Sequence, residues 1–164
     1  MKLKIAVLFA AAVAFSSSAA LLYGFPAASD ADKAFVGKVS QGGMYEVEAS
    51  KVAEMRATAP DVKDLAAMEV HDHMLVNREL KAIATKEGIP VSAALNSEFQ
   101  ARLAKLKSAS AGDFDAAYIA DMQEIHDKDE KLFAQEANEG SDAFKTFAHQ
   151  TDLIVKRHIG ALHG

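Results

Sequence analysis

The chain has 164 residues, half of them apolar and a quarter charged, with a formal net charge of −5 and neither cysteine nor tryptophan. That length suits one domain with a buried core and is short for two. An acidic chain without a basic patch argues against nucleic acid and anionic lipid as partners, and without cysteine there is no disulfide and no cysteine-borne lipid anchor. The β-branched and aromatic clusters that mark strands are few, so the composition predicts an all-α protein.

The N-terminus reads as an export signal. Lys2 and Lys4 precede the unbroken apolar run Ile5 to Phe15, which is too short to span a bilayer comfortably. Ser18-Ala19-Ala20 then fits the small-residue rule for signal peptidase. The expected organisation is a signal peptide over 1–20, or as far as 28, a linker over 21–31 and a helical domain over 32–163. Cleavage would leave no transmembrane segment and a periplasmic protein, more acidic by the two lysine charges lost.

The first long helix is expected from about Asp32 to Thr58, capped by Asp30 or Asp32. Its inner stripe reads Val36, Val39, Gly43, Glu46, Ser50, Ala53. Gly42 and Gly43 inside it each cost about 1 kcal/mol relative to alanine, and have a use if a neighbouring helix must come close. Pro60 breaks the chain and opens the second helix, which runs to about Glu87, where Gly88-Ile89-Pro90 stops it. Its stripe is Val62, Ala66, Glu69, His73, Val76, Leu80, Ile83: apolar but for a glutamate and a histidine one turn apart.

Residues 90 to 112 form a long crossover with a short amphipathic helix from about Asn96 to Lys107. A third long helix is expected from about Asp113 to Ala137, with Asp115, Ile119, Met122, His126, Asp129 and Phe133 inward and Tyr118 beside them. A fourth follows Ser141 and buries Phe144, Phe147, Ala148, Thr151, Ile154, Val155, His158 and Leu162. Phe133, Phe144 and Phe147 should close one end of the core. The sum is an antiparallel four-helix bundle with a minor helix in the crossover.

Each long helix thus carries a metal-capable or proton-carrying side chain on its buried face. Counted from the connections at 1.5 Å per residue, Glu46, His73 and His126 fall within about 2 Å of one level, and His158 roughly 6 Å away. Imidazole and carboxylate ligate zinc, copper, iron and manganese. The metal reading takes Glu46, His73, His126 and His158 as the ligands, with Asp72, Asp115, Tyr118 and Glu69 orienting them. The alternative reading is a closed hydrogen-bonded core network without metal, in which Glu46 or Glu69 pairs with His73. In that case the protein is a structural or stress-related interaction module. His71 and His73, two apart on a helix, do not face each other, so His71 should be solvated. Met44, Met68 and Met122 read as gap-filling core rather than copper ligands.

A di-iron carboxylate centre needs Glu-x-x-His on two helices. Here Val70 and Val155 stand three residues before His73 and His158. There is no serine or cysteine nucleophile arrangement and no phosphate-cradling loop. Nothing names a substrate, and the reading leans away from an enzyme.

Several motifs together resemble a family of exported bacterial proteins. They are Phe35-x-x-x-Val39 with Gln41-Gly42-Gly43-Met44-Tyr45-Glu46, then Leu65-Ala66-x-Met68 through Asp72-His73 to Asn77-x-Glu79-Leu80. Gly112-x-Phe114-Asp115-x-x-Tyr118, His126 and His158 complete the set. The family is domain of unknown function 4142, often labelled an outer membrane protein. The resemblance spans about Asp32 to Leu162 and implies a ferritin-like helical bundle in the bacterial envelope, with no activity and no protein partner attached. Its recurring residues map to Glu46, Asp72, His73, Asp115, Tyr118, His126 and His158. This chain departs from it at Glu69, where the family usually has an apolar residue, and at Asp152-Leu153-Ile154, where it usually has a leucine-proline pair. The outer-membrane label finds no support in the chain, which has no alternating strands for a barrel.

Overall fold

The computed structural model describes residues 28–163; the apolar run at 5–15 and the cleavage site expected near Ala20 lie outside them. The described chain is all-helical: α1 (Asp30–Arg56), α2 (Pro60–Lys86), α3 (Ser97–Ser108), α4 (Phe114–Glu139) and α5 (Asp142–His163). No strand occurs among the described residues, and none of these helices is long and apolar enough to cross a membrane.

Local chemistry sets the helix ends. α1 starts two residues earlier than expected because Ser29 is its cap. The Ser29 hydroxyl accepts from Asp32 N at 3.0 Å and Asp32 Oδ2 accepts from Ser29 N at 3.1 Å, a reciprocal capping box. Pro60 opens α2, where its missing N–H costs nothing. α2 ends where Gly88 takes φ +69°, which lets Ile89 N reach Ala84 O at 2.8 Å and Gly88 N reach Thr85 O at 3.3 Å. Asn96 caps α3 through Phe99 N.

α1 packs against both α2 and α4, α5 against both α4 and α2, and α3 lies across α1 and α4. The expected use of the glycine pair holds at Gly43: a Cβ there would stand 2.9 Å from Asn77 Cγ, so the Asn77 side chain of α2 can lie against α1 where it does because the position is bare. Gly42 faces the other way, toward Asp129 and Ile125 of α4.

The apolar core falls into two clusters. One gathers Tyr45, Ala49, Leu65, Phe114, Tyr118, Met122 and Leu162. The other gathers Phe35, Val76, Leu80, Phe133, Phe144, Phe147 and Val155, with Phe35 edge-on to Phe133, Phe144 and Phe147 at 5.5–6.2 Å. Along every long helix, Glu46, Glu69 with His73, His126 and His158 come between the two clusters. The interior is therefore a polar layer held between two dry ones, which excludes water from it.

Candidate metal centre

Four side chains meet in that layer. Glu69 and His73 come from α2, His126 from α4 and His158 from α5, all at most 3% exposed. One ligand atom from each lies within 4.8 Å of all the others. Glu69 Oε2 is the hub: it stands 3.0 Å from His73 Nε2, 3.3 Å from His126 Nε2 and 3.1 Å from His158 Nδ1. His126 Nε2 and His158 Nδ1 are 3.1 Å apart.

The outer nitrogen of each ring is engaged elsewhere. His126 Nδ1 lies 2.9 Å from the Met122 carbonyl oxygen, an acceptor, so that nitrogen carries a proton. His158 Nε2 lies 2.8 Å from Asp72 Oδ2, and His73 Nδ1 lies 3.0 Å from Glu46 Oε2. In the neutral rings these contacts put the proton on the outer nitrogen and leave a lone pair on the inner one. All three lone pairs then face the Glu69 carboxylate. This is how protein imidazoles are presented to a metal ion, with the second nitrogen tied to a carbonyl or carboxylate.

Among the described residues the hub is short of partners. Neither Glu69 oxygen nor His73 Nε2 has a partner in hydrogen-bonding geometry, although all are buried. With all three rings neutral this buried carboxylate has no donor, at a cost of several kcal/mol. A proton on His126 or a cation at the centre removes that cost. The separations suit one: a tetrahedral ion with bonds of about 2.0–2.1 Å has ligand–ligand edges of about 3.3 Å. Four carboxylates, Glu69, Glu46, Asp72 and Asp129, surround the place.

The charges within the layer are strongly biased. Burial raises Glu69, but the close approaches of His126, His158 and His73 outweigh it and hold its carboxyl well below the usual range. Burial opposes charge on His126, yet Glu69 and the charge of Glu46 push its pKa up to about 9. His73 goes the other way, lowered by burial. Glu46 is raised well above an ordinary carboxyl by burial and then by the neighbouring Asp129. Asp72 is lowered: burial raises it, and His158, His71 and the Arg157 guanidinium bring it down.

The structure brings seven of the eight residues singled out in the sequence into or beside the layer, in changed roles. Glu69, expected as a supporter, is the hub. Glu46, expected as a ligand, stands behind His73 and lies 3.7 Å from His126 Nδ1. His158, expected a turn away, sits level with His126. Asp72, expected as a supporter, lies against His158 Nε2 at 2.8 Å. Tyr118 is buried beside the layer with its hydroxyl 2.8 Å from Ser50 Oγ. Asp115 is not at the site. It accepts from Thr58 N and Ala59 N at 2.9–3.1 Å and caps the start of α2. His71, expected in solvent, is exposed but also reaches Asp72 Oδ1 at 3.0 Å. Arg157, which pairs with Asp72, had no sequence signal beyond its place next to His158. The signal for Glu69 was there: it is four residues before His73 and on the same face.

The chain belongs to the family described as Domain of unknown function (DUF4142), which matches residues 23–163. This is the family its motifs resemble. No curated protein matches it. Among solved structures it is similar to the crystal structure of a DUF305 fragment from Deinococcus radiodurans. The TM-score is 0.75 at 16% identity, over 85% of this chain and 97% of that one, a likeness of fold alone.

Proposed function

We propose that this protein binds one divalent first-row transition metal ion through Glu69, His73, His126 and His158. The observation that carries the reading is the convergence of three imidazole nitrogens on one buried carboxylate oxygen. Three imidazoles and one carboxylate suit zinc, copper, iron or manganese; magnesium and calcium want oxygen ligands throughout. Glu46, Asp72 and the Met122 carbonyl orient the rings.

The same reading takes the four long helices as an antiparallel, ferritin-like bundle. Short connections support it, with only residues 57–59 between α1 and α2 and 140–141 between α4 and α5. It also takes the chain as exported, on the basic start, the apolar run at 5–15 and the small residues at 18–20.

The alternative is a metal-free polar network. The 3.1 Å contact between His126 and His158 favours it, since a proton on His126 Nε2 would bridge the two. Metal analysis separates the two readings. The mature protein is purified without an affinity tag and its bound metal measured after challenge with zinc, copper, iron and manganese. The metal reading expects one ion per chain and a raised Tm, both lost in Glu69→Gln and His126→Ala. No uptake of any ion, with the variants destabilised alone, would establish the polar network instead.

A further inference from the structure

We infer that the ion reaches the buried centre through the cleft between α1, α3 and α4, handed inward by Asp129 and Glu46. This rests on the metal reading above and names the path by which that site fills.

Every ligand atom of the centre is sealed from solvent, so an ion must pass through a neighbour. Two polar chains lead outward. One runs from His158 to Asp72 and ends at Arg157, whose guanidinium pairs with Asp72 and is more than half exposed. Both Asp72 oxygens are already taken, Oδ1 by His71 and Oδ2 by Arg157 and His158, so that carboxylate has no free oxygen for an incoming ion. The other runs from His73 and His126 to Glu46 and on to Asp129. These two carboxyls are close enough for each to bear on the other's ionisation. Asp129 forms part of the wall of a cleft of about 660 Å³ that opens to solvent, lined also by Gly37, Gly42, Phe99, Arg102 and Ile125.

The cleft suits a cation more than its basic residues suggest. Arg102 is taken up by Asp121 at 2.6 Å and lies over the Tyr45 ring. Lys128 is paired with Glu124 at 2.6 Å. Lys38 stands exposed on α1. Glu46 is 1% exposed, and its Oε1 has no hydrogen-bonding partner among the described residues, which leaves a free oxygen between the cleft and the rings. Gly42 keeps the passage open: the atoms nearest a Cβ there belong to Asp129 and Ile125, at 3.9 Å, so a larger side chain at this position would fill the space before Asp129.

The test is the rate of Co²⁺ loading, followed by stopped-flow absorbance, with Kd measured separately by chelator competition. In Asp129→Asn both uptake and release should slow by about tenfold or more, with Kd near wild type, because a way-station lowers the barrier in both directions. Asp129→Glu should restore the rate. Gly42→Leu should slow loading independently, without touching a carboxylate. Wild-type rates in both Asp129→Asn and Gly42→Leu, in a protein that still binds Co²⁺, would overturn the path alone. So would a loss of affinity in Asp129→Asn as large as in His126→Ala, which would make Asp129 part of the holding site. A wild-type protein that takes up no Co²⁺, zinc, copper, iron or manganese would remove the metal reading and the path with it.

Discussion

His158 Nε2 lies 2.8 Å from Asp72 Oδ2 in the interior, and Nδ1 of the same ring lies 3.1 Å from Glu69 Oε2. One imidazole therefore joins a carboxylate near the surface to the buried hub. Asp72 decides which nitrogen keeps the proton, and so whether a lone pair is offered to the centre. Asp72→Ala should weaken metal affinity by about 10- to 100-fold while leaving one ion per chain. Chelator competition reads the affinity and elemental analysis the stoichiometry. An unchanged Kd would mean that His158 is held by its packing alone.

Metal binding should release a proton near neutral pH. His126 is raised from 6.5 to about 9 in the ion-free protein. Its charge therefore stabilises the ion-free fold fully below about pH 6.5, and that contribution is lost as pH rises through about 9. An ion at the centre must displace this proton, so affinity should climb with pH up to about 9 and level off above it. Titration calorimetry at pH 7.5 in buffers of different ionisation enthalpy would count the proton. A heat independent of buffer would contradict the charged state of His126.

Asp115 should matter for stability and not for metal. Its carboxylate caps α2 through Thr58 and Ala59, and those contacts, with the Thr58 hydroxyl first among them, hold its pKa down. Asp115→Ala should lower Tm by a few degrees with uptake of one ion per chain retained. Because the folded pKa is depressed, the stabilisation is present at neutral pH and is lost as pH falls through the folded value. Thermal melts at pH 7 and at strongly acid pH, alongside metal analysis, check both halves.

At Gly43 the Asn77 side chain of α2 lies against the backbone of α1. Alanine would gain helix propensity on its own, but its Cβ would meet Asn77. Gly43→Ala should cost about 1–2 kcal/mol, as overpacking does. Adding Asn77→Ala should return part of that loss in a double-mutant cycle. Gly37→Ala has open space around its Cβ and should stabilise by up to about 1 kcal/mol. Equal effects at positions 37 and 43 would rule out the close approach.

Much was already decided along the chain. Apolar spacing, Pro60 and Gly88 define the helices to within a few residues, and the stripes name the polar side chains that turn inward. Periodicity settles which way a residue points around its own helix, and Glu69, His73, His126 and His158 all point in. It carries no information on how far a side chain reaches or how two helices are set against each other. Those distances decide that Glu69 and not Glu46 is the hub, that His158 is level with His126, and that Asp115 is a cap. They also place Asp129 between a cleft and Glu46. A metal centre depends on atoms a few ångströms apart from helices far apart in sequence, and only the packing of those helices sets that spacing.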